Sequence, residues 1–121
     1  MTRQQLQPSM IELVPELAIY TPPARVYDKR VYSPWIGSDL AQRLRSEDVD
    51  TLVISGGETD ICVLSSVLGA VDWGFRAIVA SDAVCSSADA THDAIMSIYC
   101  SRYTEQVETA TVDDILAEWR P

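Results

Sequence analysis

The stretch Thr51-Leu52-Val53-Ile54-Ser55-Gly56-Gly57-Glu58-Thr59-Asp60-Ile61-Cys62-Val63 decides how this chain is read. Thr51 to Ser55 is a continuous apolar run, the pattern of a strand buried on both faces. Gly56-Gly57 ends the run and permits a tight, unusual turn. Ile61, Leu64, Leu68 and Val71 then recur at helical spacing, and Gly74 is a helix stop. Thr59 or Asp60 can cap that helix. Cys62 therefore falls in its first turn, where unpaired backbone N–H groups and the helix dipole favour a thiolate. The same N–H groups can hold the oxyanion of a tetrahedral intermediate. A buried structural cysteine is the competing reading, since free cysteines are among the most buried residues.

Working outward, Ala77 to Ala80 reads as a second continuous strand and Gln106 to Thr109 as a weak last one. A helix from about Ala90 to Arg102 lies between them, with Ile95, Ile98 and Tyr99 facing inward. Thr111 can cap a final helix, Val112 to Trp119, with Asp114 in the capping-box position. Upstream, Ser38 can cap a helix from Asp39 to about Ser46 that shows Leu40 and Leu44 on one face. Ala24 to Asp28 reads as a short strand leading to Lys29. Before it come the loop Thr21-Pro22-Pro23 and a polar tail, residues 1–10. Alternating strands and helices predict an α/β fold with a parallel sheet. Chemistry then sits at the carboxyl ends of the strands, where Asp28-Lys29, Gly56 to Cys62 and Ser81-Asp82 fall.

The bulk properties bound the function. The chain has 121 residues, enough for one domain. Nine Lys plus Arg stand against eighteen Asp plus Glu, a net charge of -9, which argues against a nucleic-acid partner. No apolar run is long enough to span a membrane, and the N-terminus lacks the core of a signal peptide, so a cytoplasmic location is expected. The three cysteines, Cys62, Cys85 and Cys100, have no CxxC spacing and are expected to be reduced thiols. Cys85 and Cys100 read as packing residues. His92 is the only histidine. A Cys–His pair is possible, though capping or surface exposure is the commoner role, and a zinc site would need carboxylates or cysteines at unsuitable spacings. No metal or cofactor is expected. Lys29 is either a solvated surface charge or a cation that assists the thiol. Trp35 either lines a pocket or packs in the core, and Ser86-Ser87 look like loop and cap residues.

Several segments together carry a resemblance. Asp28-Lys29-Arg30-Val31-Tyr32-Ser33-Pro34-Trp35, Gly56-Gly57-Glu58-Thr59-Asp60-Ile61-Cys62-Val63, Ser81-Asp82-Ala83-Val84-Cys85-Ser86-Ser87 and His92-Asp93-Ala94 resemble the isochorismatase-like cysteine hydrolases in order and spacing over about residues 24–112. The resemblance implies a three-layer α/β/α, Rossmann-type fold. It implies an Asp–Lys–Cys triad in which Cys62 is the nucleophile and Lys29 the lysine. It also implies a cis Gly57–Glu58 peptide that turns the N–H groups of Glu58 and Cys62 toward the oxyanion. Tyr32 and Trp35 are then expected to contact substrate. Hydrolysis of a C–N bond, amide or ureide, in a small molecule is the implied activity, and homo-oligomers are expected.

One departure stands out. The family's triad aspartate ends a first strand ahead of the lysine, and no such apolar segment precedes Lys29 here. The family's second strand, which carries metal-binding Asp and His residues in nicotinamidase-like members, is missing as well. The expectation is therefore a single, N-terminally truncated domain over residues 1–121. The family's strand order, 3-2-1-4-5-6, leaves a gap of about 14 Å between Lys29 and Cys62 once two strands are lost. A fragment of a longer protein, a shift of strand 24–28 to the side of strand 51–55, or strands supplied by another chain would each account for it. The first is the favoured explanation. An idle family member or interaction module lacking the aspartate is the alternative to an active hydrolase.

Overall fold

The β-branched run beginning at Thr51 forms β1, Thr51–Gly57, in the computed structural model, which describes residues 5–120. Two more strands follow, β2 (Arg76–Cys85) and β3 (Val107–Ala110), in the parallel order β1-β2-β3. The helices are α1 (Pro15–Ala18), α2 (Leu40–Ser46), α3 (Leu64–Asp72), α4 (Asp89–Ser101) and α5 (Val112–Glu118). A π-helical turn, Thr59–Val63, joins β1 to α3. No helix among the described residues is long and apolar enough to cross a membrane.

Register divides the sheet into two faces. Leu52 pairs with Ala77, which pairs with Val107, and Ile54 pairs with Val79. These residues share one core with Val63, Val67 and Ala70 of the π turn and α3, Tyr99 of α4, and Trp35 and Phe75. The alternate residues Thr51, Val53, Arg76, Ile78, Glu108 and Ala110 look the other way. With Ile115 and Trp119 they line a groove of about 490 Å³ beside α5. The sheet is thus flanked on both faces, which is the expected α/β architecture.

Local signals account for several boundaries. Beyond α3 the Phe75 N–H donates to the Ala70 carbonyl and the Gly74 N–H to that of Val71, both at 2.9 Å. This is a Schellman stop, and Gly74 takes the left-handed φ of 87° that it needs. The same closure ends α2, where Val49 donates to Leu44 and Asp48 to Arg45, with Asp48 at φ 57°. Thr111 Oγ1 caps α5 by accepting from the Asp114 N–H at 3.2 Å, and donates to Asp114 Oδ2 at 2.8 Å. Ser38 Oγ lies 3.4 Å from the Leu40 N–H at the start of α2 and donates to the Pro34 carbonyl at 2.6 Å.

Four expectations are corrected. Residues 24–28 form no strand and do not move in beside β1. A strand needs a ladder, and this segment is instead held to α2 by side chains: Arg25 pairs with Glu47 at 2.6 Å, and the Arg43 guanidinium lies over Tyr27 at 5.9 Å. β1 is not buried on both faces; it pairs with β2 alone, and Val53 is 38% exposed. The inward face of α3 is set by Val63, Val67 and Ala70 rather than by Ile61 and Leu68. The π turn carries an extra residue per turn and shifts the phase of the helix that follows. Finally, β2 runs beyond Ala80 to Cys85. Its register jumps so that Gly56 and Gly57 face Val84 and Cys85.

One buried polar atom goes unpaired. Tyr99 is fully buried and its hydroxyl has no partner among the described residues. Burial, with Tyr103 nearby, pushes this phenol up to about 12.

Candidate active site

β1 delivers its chain end at the carboxyl edge of the sheet, where Gly56 turns at a φ of 112°. The following Gly57–Glu58 peptide is cis. The Glu58 carbonyl then accepts from the Ile61 N–H at 3.2 Å and the Val63 N–H at 2.9 Å, which closes the π turn. Cys62 is half-buried inside that turn, and its carbonyl accepts from Ser66 Oγ at 2.8 Å. Such π turns occur frequently at functional sites.

The turn is pinned from outside by the loop after β2 and the first turn of α4. Glu58 Oε2 accepts from the Ser87 N–H at 2.7 Å, from Ser86 Oγ at 2.9 Å and from Ser87 Oγ at 3.0 Å. These donors, the Ser87 N–H first, hold the Glu58 carboxyl below its ordinary range. Asp60 Oδ1 lies 2.6 Å from the same Ser86 hydroxyl. Ser86 and then Thr91 lower the Asp60 carboxyl too. Between them Thr59 is fully buried, with its hydroxyl 2.9 Å from His92 Nδ1.

Thr59 and Asp60 are therefore not helix caps, because partners remote in sequence take both side chains. His92 is neither a cap nor a free surface residue, since it holds Thr59. Ser86 and Ser87 are more than loop residues. Their role was hidden because their partners lie 26 to 29 residues away, and the signal on offer was the pair of carboxylates just after the glycine turn.

Lys29 is exposed, and its Nζ donates to the Val31 carbonyl at 3.2 Å, a local bond. Trp35 takes the core-packing alternative. It is 8% exposed, stacks on Phe75 with centroids 5.7 Å apart, and donates from Nε1 to the Ser66 carbonyl at 3.0 Å. Tyr32 is 63% exposed on the same loop. Asp82 turns toward α5 and accepts from the Val112 N–H at 2.9 Å. Cys85 and Cys100 are exposed rather than packed. No three His, Cys, Asp or Glu side chains among the described residues are grouped to hold a metal.

A family model for the isochorismatase domain matches residues 2–111. This chain belongs to the isochorismatase family. An isochorismatase family protein of Bacillus subtilis (strain 168), PncA, is 35% identical over 80 residues, covering 66% of this chain and 44% of that protein. The maleamate amidohydrolase of Pseudomonas putida is 32% identical over 82 residues, covering 68% of this chain and 38% of that one. Among solved structures, the nicotinamidase SaPncA of Staphylococcus aureus superposes with a TM-score of 0.68 at 26% identity, over 77% of this chain and 59% of that one. The chain spans less than half the length of the curated relatives it matches.

Proposed function

We propose that this chain carries the nucleophile of an isochorismatase-family hydrolase that cleaves a C–N bond of a small amide or ureide. The observation that carries the reading is the position of Cys62, inside the π turn that follows the carboxyl end of β1. In this scheme Cys62 Sγ attacks the substrate carbonyl and forms a C–S bond. The N–H groups of Glu58 and Cys62 hold the oxyanion. The tetrahedral intermediate collapses with cleavage of the C–N bond, and the departing amine takes up the proton that the thiol released. Water then hydrolyses the thioester to the acid. Lys29 is the cation expected to assist, with Tyr32 on its loop as a substrate contact.

The test is ammonia release from simple amides. Nicotinamide, pyrazinamide and maleamate serve as probes, because proteins similar to this one are named for such substrates. Release that disappears in Cys62→Ala and falls in Lys29→Ala supports the reading. Release that survives Cys62→Ala overturns it.

A second reading is an idle family member or interaction module. The observation that favours it is the local bond of Lys29 to Val31, which leaves that cation exposed. Intact protein that releases no ammonia from any probe and forms no covalent adduct at Cys62 supports this reading. Association of copies is part of either proposal, supported by the open edge of β1 and by exposed apolar residues such as Ile11, Leu17 and Tyr20.

A further inference from the structure

The bonds around the π turn converge on one hydroxyl. Ser86 Oγ lies 2.9 Å from Glu58 Oε2 and 2.6 Å from Asp60 Oδ1, and it also accepts from the Ala88 N–H at 3.2 Å. A serine hydroxyl has a single proton to donate. Both carboxyls are held below their ordinary range, so at neutral pH neither has a proton for the other. One O–H thus stands between two anions that sit on either side of Thr59, just ahead of Cys62.

We propose that Ser86 is the positioning residue of the Cys62 turn: its hydroxyl bridges Glu58 and Asp60 and so fixes the direction of the backbone N–H groups around the thiol. The catalytic meaning of that role rests on the hydrolase reading above; the bridge itself does not. Thr59 is locked to His92 between the two carboxylates. The bridge therefore ties three consecutive residues to the loop after β2 and the first turn of α4. Without the hydroxyl, Glu58 keeps the Ser87 N–H, whereas Asp60 loses the donor that acts on it most, is left with Thr91, and faces a like charge. Repulsion then opens the turn from its N-terminal side.

The experiment compares amide hydrogen exchange of the segment 56–64 in the intact chain and in Ser86→Ala, Ser86→Thr and the double variant Glu58→Gln, Ser86→Ala. Ser86→Ala is expected to lose about tenfold in protection in this segment, with β2 and β3 unchanged. Ser86→Thr restores it, because the hydroxyl returns. The double variant restores part of it, because one of the two anions is gone while Gln still accepts from Ser87. A merely space-filling Ser86 would not respond to the charge at residue 58. Unchanged protection, loss spread evenly over the sheet, or no recovery in the double variant overturns the proposal. If Ser86→Ala does not fold, a folded and protected double variant supports the bridge and an unfolded one overturns it. Alkylation of Cys62 relative to Cys85 is read on the same samples. Equal rates in the unsubstituted chain count against the hydrolase reading alone, while hydrogen exchange still decides the bridge.

Discussion

Glu58 Oε2 accepts the backbone N–H of Ser87 at 2.7 Å, so the first residue after the cis peptide is tied to the loop beyond β2. That bond, with those from Ser86 and Ser87 Oγ, lowers the Glu58 carboxyl from an ordinary value of 4.5. The unfolded chain therefore takes up this proton at higher pH than the folded chain does. Stability from the pair is fully present above the ordinary value and is lost as pH falls through the lowered one. Asp60 acts in the same direction.

Glu58→Gln is accordingly expected to flatten the acid side of the stability profile. Thermal midpoints measured between neutral pH and about pH 3 should fall less steeply in the variant. An unchanged slope would mean that the Ser87 and Ser86 bonds do not favour the ionised carboxylate.

Gly69 is the place where the core admits no side chain. A Cβ there would run into the Trp35 indole. Gly69→Ala should therefore destabilise the fold by about 1–3 kcal/mol, read from denaturant midpoints. The loss should shrink when Trp35 is replaced by Leu, since the obstructing ring is then gone. An equal loss in both backgrounds would place the clash elsewhere.

Asp48 closes α2 in the left-handed region at φ 57°, a conformation that glycine adopts without steric cost. Asp48→Gly is expected to raise stability by about 0.5–1 kcal/mol. The midpoint of urea unfolding checks it. A loss would show that the Asp48 side chain contributes more than its backbone costs.

Much of the fold was legible because its signals are local. The apolar runs at Thr51 and Ala77 became strands, Gly74 closed α3, and Thr111 capped α5. The turn at Gly56-Gly57 and the placement of Cys62 beyond it could be read for the same reason. What was missed depended on partners distant in the chain. Residues 24–28 have strand-like composition but no ladder to join, and α2 holds them instead. Thr59 and Asp60 have the chemistry of caps, yet His92 and Ser86 outcompete the local backbone for them. Trp35 looked equally suited to a pocket and to the core; Gly69, 34 residues on, made room for it in the core.

The π turn at the end of β1 is proposed to make Cys62 a nucleophile. The three cysteines supply their own controls, since Cys85 and Cys100 are exposed whereas Cys62 is half-buried. The direct measurement is the rate of iodoacetamide alkylation of each, followed peptide by peptide in the intact chain at neutral pH. Exposure alone would make Cys62 the slowest. A thiol held at the helix start should react first, by about tenfold or more. Cys62 reacting no faster than Cys85 and Cys100 would show that the turn does not activate its thiol.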